Sequence, residues 1–341
     1  MNILVIKQTS LGDVLHASGH IRAIKQHFPQ SRLVLLTDKT SRDIYRHNPW
    51  VDHIIEIDRY GFKANWYRNP VWAFREMRRV MAEVREEKFD LAFDLQGLAK
   101  SVIFLYGARA DRKFVKGRWP GIPGYRNKHD HALDEMDRVL NLAGIPTRDT
   151  SMELHAGPEQ RACIDQILAE LNPEGVPMLA MSPFSRWPSK DWPLDHYLQL
   201  CVRLEEAAQN EIAIFLTGAE GDRSRLEEAL ASRKLGSTHS MAGKLSMCEF
   251  FELLSRVKVL ITGDSFPMHA AVAVDTQVVA LFGPTHESRV GPRGDSHSVI
   301  RAPDCRICDR KNCPRACLNR LDVDQVMARV QEKLAATAAG P

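Results

Sequence analysis

Short apolar runs alternate with helical patterns, and the whole rhythm is played twice; this constrains the chain most. In the first half, NILVI at 2–6 reads as a buried strand, followed by the polar turn KQTSLGD and a helix over 14–27 that stops before Pro29. RLVLLT from Arg32, HIIEID from His53 and DLAFDLQ from Asp90 read as further strands, with helices near 41–47 and 71–87 between them. Strands alternating with helices predict βαβ units and a parallel sheet. The stretch 118–130 (RWPGIPGYRNKHD) reads as a long loop, a helix near 133–143 follows, and GIPTRDTSMELHAGPE is the best linker. The alternation then restarts at MLAMSP from Met178 and continues through IAIFLTG, VLITGD and VVALFGP, with helices over 194–208, to about 233, at CEFFELLSRV and at PMHAAVAV. The expected architecture is α/β, with two Rossmann-like domains facing across a cleft, ligands lying at the carboxyl ends of the strands. The domains are expected at 1–155 and 156–322, with a terminal helix and tail at 323–341. At roughly 150 residues per domain, 341 residues agree with two.

Composition excludes several classes. With 44% hydrophobic and 26% charged residues, the chain is neither disordered nor fibrous nor a disulfide mini-scaffold. A net charge of +3 gives no reason to expect nucleic acid as a partner. No apolar run approaches the roughly 18 to 20 residues of a membrane span. The N-terminus, with Lys7 and Gln8 straight after a five-residue apolar stretch, does not read as a signal peptide. A cytoplasmic protein is expected.

The loops after the strands carry the chemistry. Lys7 to Asp13 (KQTSLGD) joins the first strand to a helix; Gly12 permits a tight turn, and the helix start suits an anion. Asp13 is either a helix cap or a catalytic carboxylate. In the second half, Ser185, Arg186 and Lys190 lie in a loop ending in Pro193, where hydroxyls, cations and a helix start suit a diphosphate, or else form a solvated basic loop. Glu220 follows the next strand and could accept from ribose hydroxyls. Asp264, Ser265 and His269 follow a third strand; Asp264 could be only a cap, and His269 an ordinary inward-pointing residue. One strand later comes FGPT, ending at Thr285.

Four of the seven cysteines cluster as Cys305-x2-Cys308-x4-Cys313-x3-Cys317. Four thiolates that close could hold a structural Zn or Fe, or stay free or reversibly oxidised. Cys163, Cys201 and Cys248 are scattered and read as buried thiols.

Taken together, K-x-[ST]-S-[LM]-G-D-V-L-H at the N-terminus, W-P-x-K-x-W-P in the middle and T-G-D-S-x-P-M-H-A-A followed by L-F-G-P-T resemble the ADP-heptose:lipopolysaccharide heptosyltransferases, glycosyltransferase family 9. The resemblance covers nearly the whole chain. It implies a GT-B fold, with the acceptor in the N-terminal domain and the nucleotide-sugar in the C-terminal one. It implies an inverting transferase moving heptose from ADP-L-glycero-D-manno-heptose to the Kdo/heptose inner core of lipopolysaccharide. Asp13 is then the general base, with Ser10 and Gly12 shaping the cleft around it. Lys190 and Ser185 clamp the diphosphate, Glu220 contacts the ribose, Asp264, Ser265 and His269 hold phosphates and sugar, and Thr285 lies near the nucleotide. Phe266 departs from the pattern, since many relatives carry Gly there, which lets backbone approach a phosphate. DLQGLAKS at 94–101 resembles the heptosyltransferase I branch, so Gln96 and Lys100, with Arg118, are expected at the acceptor, Kdo-lipid A or a heptosylated core. No cofactor is implied for catalysis. Such an acceptor implies peripheral attachment to the inner face of the cytoplasmic membrane, expected through Lys113, Lys116, Arg118 and Arg126. Two other classes share the residues: a GT-B nucleotide-sugar enzyme with another donor or acceptor, such as an epimerase, and a non-catalytic sugar-nucleotide binder.

Overall fold

The computed structural model describes residues 1–313 and 316–338. It divides into two compact units, Met1–His155 and Ala156–Pro341. The first contains β1 (Asn2–Ile6), α1 (Leu11–Leu15), α2 (Ser18–His27), β2 (Arg32–Asp38), β3 (His53–Ile57), α3 (Arg59–Asn65), α4 (Pro70–Glu86), β4 (Phe89–Asp94), α5 (Ala99–Gly107), β5 (Ala110–Lys116), β6 (Gly124–Tyr125) and α6 (Ala132–Leu142). The second contains α7 (Pro158–Leu171), β7 (Met178–Ser182), α8 (Leu194–Ala207), β8 (Ala213–Leu216), α9 (Arg223–Ala231), β9 (Thr238–Ser240), α10 (Met247–Arg256), β10 (Val259–Gly263), α11 (Phe266–Ala273), β11 (Gln277–Phe282), α12 (Glu287–Val290), β12 (Ser298–Arg301) and α13 (Val323–Ala338).

Each unit holds one six-stranded, wholly parallel sheet. The orders are β3-β2-β1-β4-β5-β6 and, in the opposite direction, β12-β11-β10-β7-β8-β9. Counted from each unit's own first strand, both are the doubly wound 3-2-1-4-5-6 arrangement. The central strands read as unbroken apolar runs because both faces are covered by helices: Ile3 to Ile6 and Val259 to Ile261 are fully buried. In such a sheet the chain reverses its direction of winding between the first and fourth strands. The crevice there is where ligands bind. It falls between β1 and β4 in the first unit and between β7 and β10 in the second.

Several expected boundaries shift. The helix expected over 14–27 is two helices, because the chain tightens at Ala17, whose N–H bonds Val14 O at 3.1 Å, before α2 begins. The helix near 41–47 is a 3-10 turn, Lys39–Ile44, which Asp38 caps through Thr40 N–H at 3.0 Å. The loop over 118–130 contains β6. Also unexpected are β5, β9, β12, α3, α5, α7 and α12. The strands among these lie toward the sheet edges, where charged and polar residues dilute the apolar signal that marks a central strand.

Candidate active site

In the first unit the two loops at the switch point are bonded to each other. Gln96, just beyond β4, turns its carboxamide oxygen to Thr9 N–H (2.9 Å) and Gln8 N–H (3.3 Å) beyond β1. Gln96 therefore holds the loop that carries Ser10 and Asp13, and its oxygen is already engaged. The turn that delivers Gln96 needs Gly97: its φ is +71°, and a Cβ there would fall 1.5 Å from Lys116 O.

Asp13 sits on the first turn of α1 and accepts from Ser10 N–H (3.0 Å) and Ser10 Oγ–H (2.8 Å), both on Oδ2. This is the carboxylate half of a capping box, so the cap expected from sequence is real. Capping does not use up the group, since Oδ1 lies outside that box. Burial works to raise its pKa, but the charge of Lys7, the two Ser10 bonds and the charge of Lys116 outweigh it and hold Asp13 below its ordinary value. It is an ionised carboxylate at neutral pH.

The charges that do this were not singled out as site residues from the sequence. Lys7, 2% exposed, extends from the end of β1 and donates to Leu95 O at 3.0 Å. Asp94, fully buried, accepts from Gln96 and Gly97 N–H at 2.8 and 2.9 Å. Lys116 is paired with Glu135 at 2.9 Å. Burial pulls the Lys7 ammonium down to about 8, against the attraction of Asp13, and pushes Asp94 up to about 6. A lysine at the very end of an apolar strand (NILVIK) was the available signal.

Lys7 gives a pH prediction. Its folded pKa of about 8 lies below the ordinary 10.5, so across that window the unfolded chain binds a proton the folded chain does not. Stability therefore rises with pH there, by up to about 3 kcal/mol. Lys7→Met lacks this contribution. Urea unfolding at pH 7.5, 9 and 10 should show wild type gaining on the variant with each step.

The remaining acceptor-side candidates separate. Lys100 is exposed near Asp13; burial and the charge of Arg59 lower its pKa, while Asp13 and Asp38 oppose this. Arg118 is exposed and forms no ion pair with a described residue. Among the four cations expected at the membrane, Arg118 and Arg126 are exposed. The other two are half-buried: Lys116 is committed to Glu135, and Lys113 donates to Tyr106 O at 3.1 Å. The four are thus divided between two exposed cations and two half-buried, engaged ones.

In the second unit the switch point is closed by an ion pair. Lys190 Nζ, in the 3-10 turn Pro188–Lys190 after β7, lies 2.6 Å from Asp264 Oδ2 after β10, with the two side chains 16% and 7% exposed. The ammonium also sits 4.5 Å from the centre of the Trp187 ring, and Lys311 lies over the same ring at 5.6 Å. Below them, Thr262 Oγ1 donates to Ser182 O (3.1 Å) and Ser182 Oγ meets Thr217 Oγ1 (2.6 Å), tying together the ends of β10, β7 and β8. Ser185 faces its own loop, with Oγ 2.6 Å from Asp191 Oδ1 and accepting from Trp187 N–H. It shapes the loop that carries Lys190.

Ser265 is the N-cap residue of α11, and His269 is buried inside that helix. Phe266 turns toward α10, its ring 6.1 Å from that of Phe251. Thr285 is buried with its hydroxyl unpartnered, in a loop that Arg301 clamps through Gly283 O, Thr285 O and Glu287. Arg186 is exposed. Glu220, 70% exposed, pairs with Arg223 at 2.9 Å.

Gly263 sets the spacing of the ion pair. A Cβ there would lie 2.5 Å from Lys190 O, so the two loops approach this closely only with glycine. Gly263→Ala should cost about 1–3 kcal/mol by overpacking, read by thermal unfolding.

The cysteine cluster gathers only in part. Cys317 is pulled into the core beside Leu318 and Leu321, and Cys305 packs against it, its thiol pushed up to about 12 by burial and by contact with Cys317. Cys308 is exposed, its N–H held by Pro284 O at 3.0 Å, and Cys313 is half-buried. Among the described residues no three His, Cys, Asp or Glu side chains converge as a metal site. The donors do not fit the structural Zn or Fe considered from sequence, because Cys305 and Cys317 meet but no set of three ligands among the described residues forms around them. Of the scattered cysteines, Cys201 and Cys248 are buried and Cys163 is half-buried.

The comparisons with known proteins agree with one another. Lipopolysaccharide heptosyltransferase 2 of Salmonella typhimurium is 25% identical over 324 residues, covering 88% of each chain. Lipopolysaccharide heptosyltransferase 1 of Pseudomonas aeruginosa is 24% identical, covering 92% of this chain and 87% of its own. The solved structure of E. coli heptosyltransferase WaaC with ADP-2-deoxy-2-fluoro heptose superposes with a TM-score of 0.75 at 21% identity, covering 97% of this chain and 99% of its own. The sequence profile of glycosyltransferase family 9 (heptosyltransferase) matches residues 77–319, well over half the chain. With two Rossmann-like units and polar groups gathered at both switch points, this chain belongs to glycosyltransferase family 9, the heptosyltransferases.

Proposed function

We propose that this protein transfers heptose from ADP-L-glycero-D-manno-heptose to the Kdo/heptose inner core of lipopolysaccharide, with inversion at the anomeric carbon. The observation that carries the reading is the Asp13 carboxylate, kept ionised by Lys7 and Ser10 at the switch point of the first unit. A sugar-nucleotide binder has no use for a base in its other unit. An inverting transfer is one in-line displacement: Asp13 takes the proton from the acceptor hydroxyl as that oxygen attacks, and ADP departs. Charge grows on the diphosphate as the bond to it breaks. Lys190 and the start of α11 supply positive potential for it, with Thr285 and Ser265 offering hydroxyls. Asp264 holds Lys190 in place until the diphosphate shares it.

The donor assignment draws on the WaaC complex with a fluorinated ADP-heptose. Lys100 and Arg118 supply positive charge suited to the carboxylate of Kdo and the phosphates of lipid A. Relatives named heptosyltransferase 1 and 2 are equally similar, so the first heptose is proposed here on the DLQGLAKS segment. No helix among the described residues is long and apolar enough to cross a membrane. The proposed acceptor is lipid-borne, and we place the protein peripherally at the inner face of the cytoplasmic membrane.

Incubation with ADP-heptose and Kdo-lipid A tests this. The product should gain the mass of one heptose, with ADP released only when acceptor is present. ADP release without acceptor, or an altered free sugar nucleotide, would replace this reading with one of the alternatives.

A further inference from the structure

The large apolar side chains most exposed in the described structure concentrate on one short piece of the first unit. Tyr60, Trp66, Tyr67, Val71 and Phe74 are 51%, 52%, 90%, 57% and 63% exposed. They lie on α3, the turn after it and the start of α4. The stretch 59–75, RYGFKANWYRNPVWAFR, holds six aromatic residues and four cations and not one Asp or Glu. Lys63, Arg68 and Arg75 are exposed and ion-paired with no described residue, whereas Arg79, one turn on, is taken up by Glu76 and Glu83.

The piece is built, not frayed. Asp58 caps α3 through Gly61 N–H at 2.7 Å, and Asn69 caps α4 through Trp72 N–H at 3.1 Å. Gly61 lies close against the Trp72 ring, and the Phe62 and Trp66 rings pack at 5.2 Å. Yet α3 buries no residue in its own unit. Folding alone gives no reason for Tyr60 and Trp66 to stand on a helix that buries no residue, or for every charge over 59–75 to be positive.

We propose that α3 and the first turn of α4 form a docking surface for an anionic lipid bilayer. This rests on the peripheral attachment proposed above and names the surface responsible. Trp and Tyr rings settle at headgroup level, Val71 and Phe74 enter just beneath, and the cations meet anionic headgroups. A nucleic acid would satisfy the cations but leave Val71 and Phe74 in water. The surface also borders the acceptor-side cluster. Arg59, the first residue of α3, donates its N–H to Asp38 at 3.2 Å, and its charge acts on Lys100, which in turn feels Asp13. Docking there brings Asp13 next to the plane from which a lipid-borne acceptor arrives.

The test is flotation of the full chain with vesicles containing neither donor nor acceptor, so binding is read apart from transfer. Wild type should bind vesicles of phosphatidylglycerol and phosphatidylethanolamine, bind phosphatidylcholine weakly, and be released by salt, since the Debye length shrinks to about 3 Å at 1 M. K63Q/R68Q/R75Q should lower partitioning on the order of a hundredfold, and W66S/Y67S/F74S should remove most of it. Brominated lipids should quench tryptophan emission in wild type and less in W66F. Both triple variants should keep wild-type unfolding temperatures and turnover with detergent-dispersed acceptor. Undiminished binding by both variants would overturn the surface and leave peripheral attachment standing. No binding of wild type to anionic vesicles at low salt would overturn both. Single-stranded RNA bound as tightly as vesicles, through the same residues, would overturn the lipid assignment.

Discussion

Asp13→Asn should lower kcat by about 10² to 10⁴ while leaving ADP affinity unchanged, because the residues proposed to hold ADP belong to the other unit. The substitution separates the two roles of this side chain. Asn retains an oxygen for the Ser10 bonds and so keeps most of the cap, but it cannot take a proton. Asp13→Ala removes both and should cost roughly 1 kcal/mol more in stability. Near wild-type turnover in the Asn variant would reduce Asp13 to a helix cap. The pH profile offers a second reading. Asp13 is held below 3.8, so the acid limb of kcat should fall under that pH. A limb near 6 would report the buried Asp94 instead.

Lys190→Ala should lower kcat/KM by about 10² to 10³ and weaken ADP binding with it, because part of the charge Lys190 meets is present before the transition state. The structure adds a consequence the sequence did not suggest. Removing Lys190 leaves the Asp264 carboxylate buried and unpaired, which typically costs 3–5 kcal/mol and places a negative charge where the diphosphate should lie. The double variant Lys190→Ala/Asp264→Asn should regain much of that stability. It should not regain wild-type ADP affinity. Thermal unfolding and calorimetric titration of both variants separate the two effects. Intact affinity and turnover in Lys190→Ala would return the loop to an ordinary solvated one.

By itself the sequence determined the two parallel sheets and the loops that matter. Buried central strands must be continuous apolar runs, and the switch-point loops after β1, β4, β7 and β10 announce themselves as polar motifs directly following such runs. Asp13, Lys190 and Asp264 were legible for that reason, and Gln96 through the resemblance carried by DLQGLAKS. The edge strands β9 and β12, and β5 next to an edge, were not, because strands away from the sheet centre need few apolar residues. Tertiary structure alone decided which polar groups meet. Lys7, Asp94, Lys116 and Glu135 come from separate elements and become one set of interacting charges only when the sheet brings their ends together. Ser185 turns to Asp191, and Cys317 is drawn into the core away from Cys308, since packing of distant neighbours fixes where a side chain points. Spacing along a chain sets which residues can be near; burial and the low dielectric inside the fold set what charge they carry and whom they face.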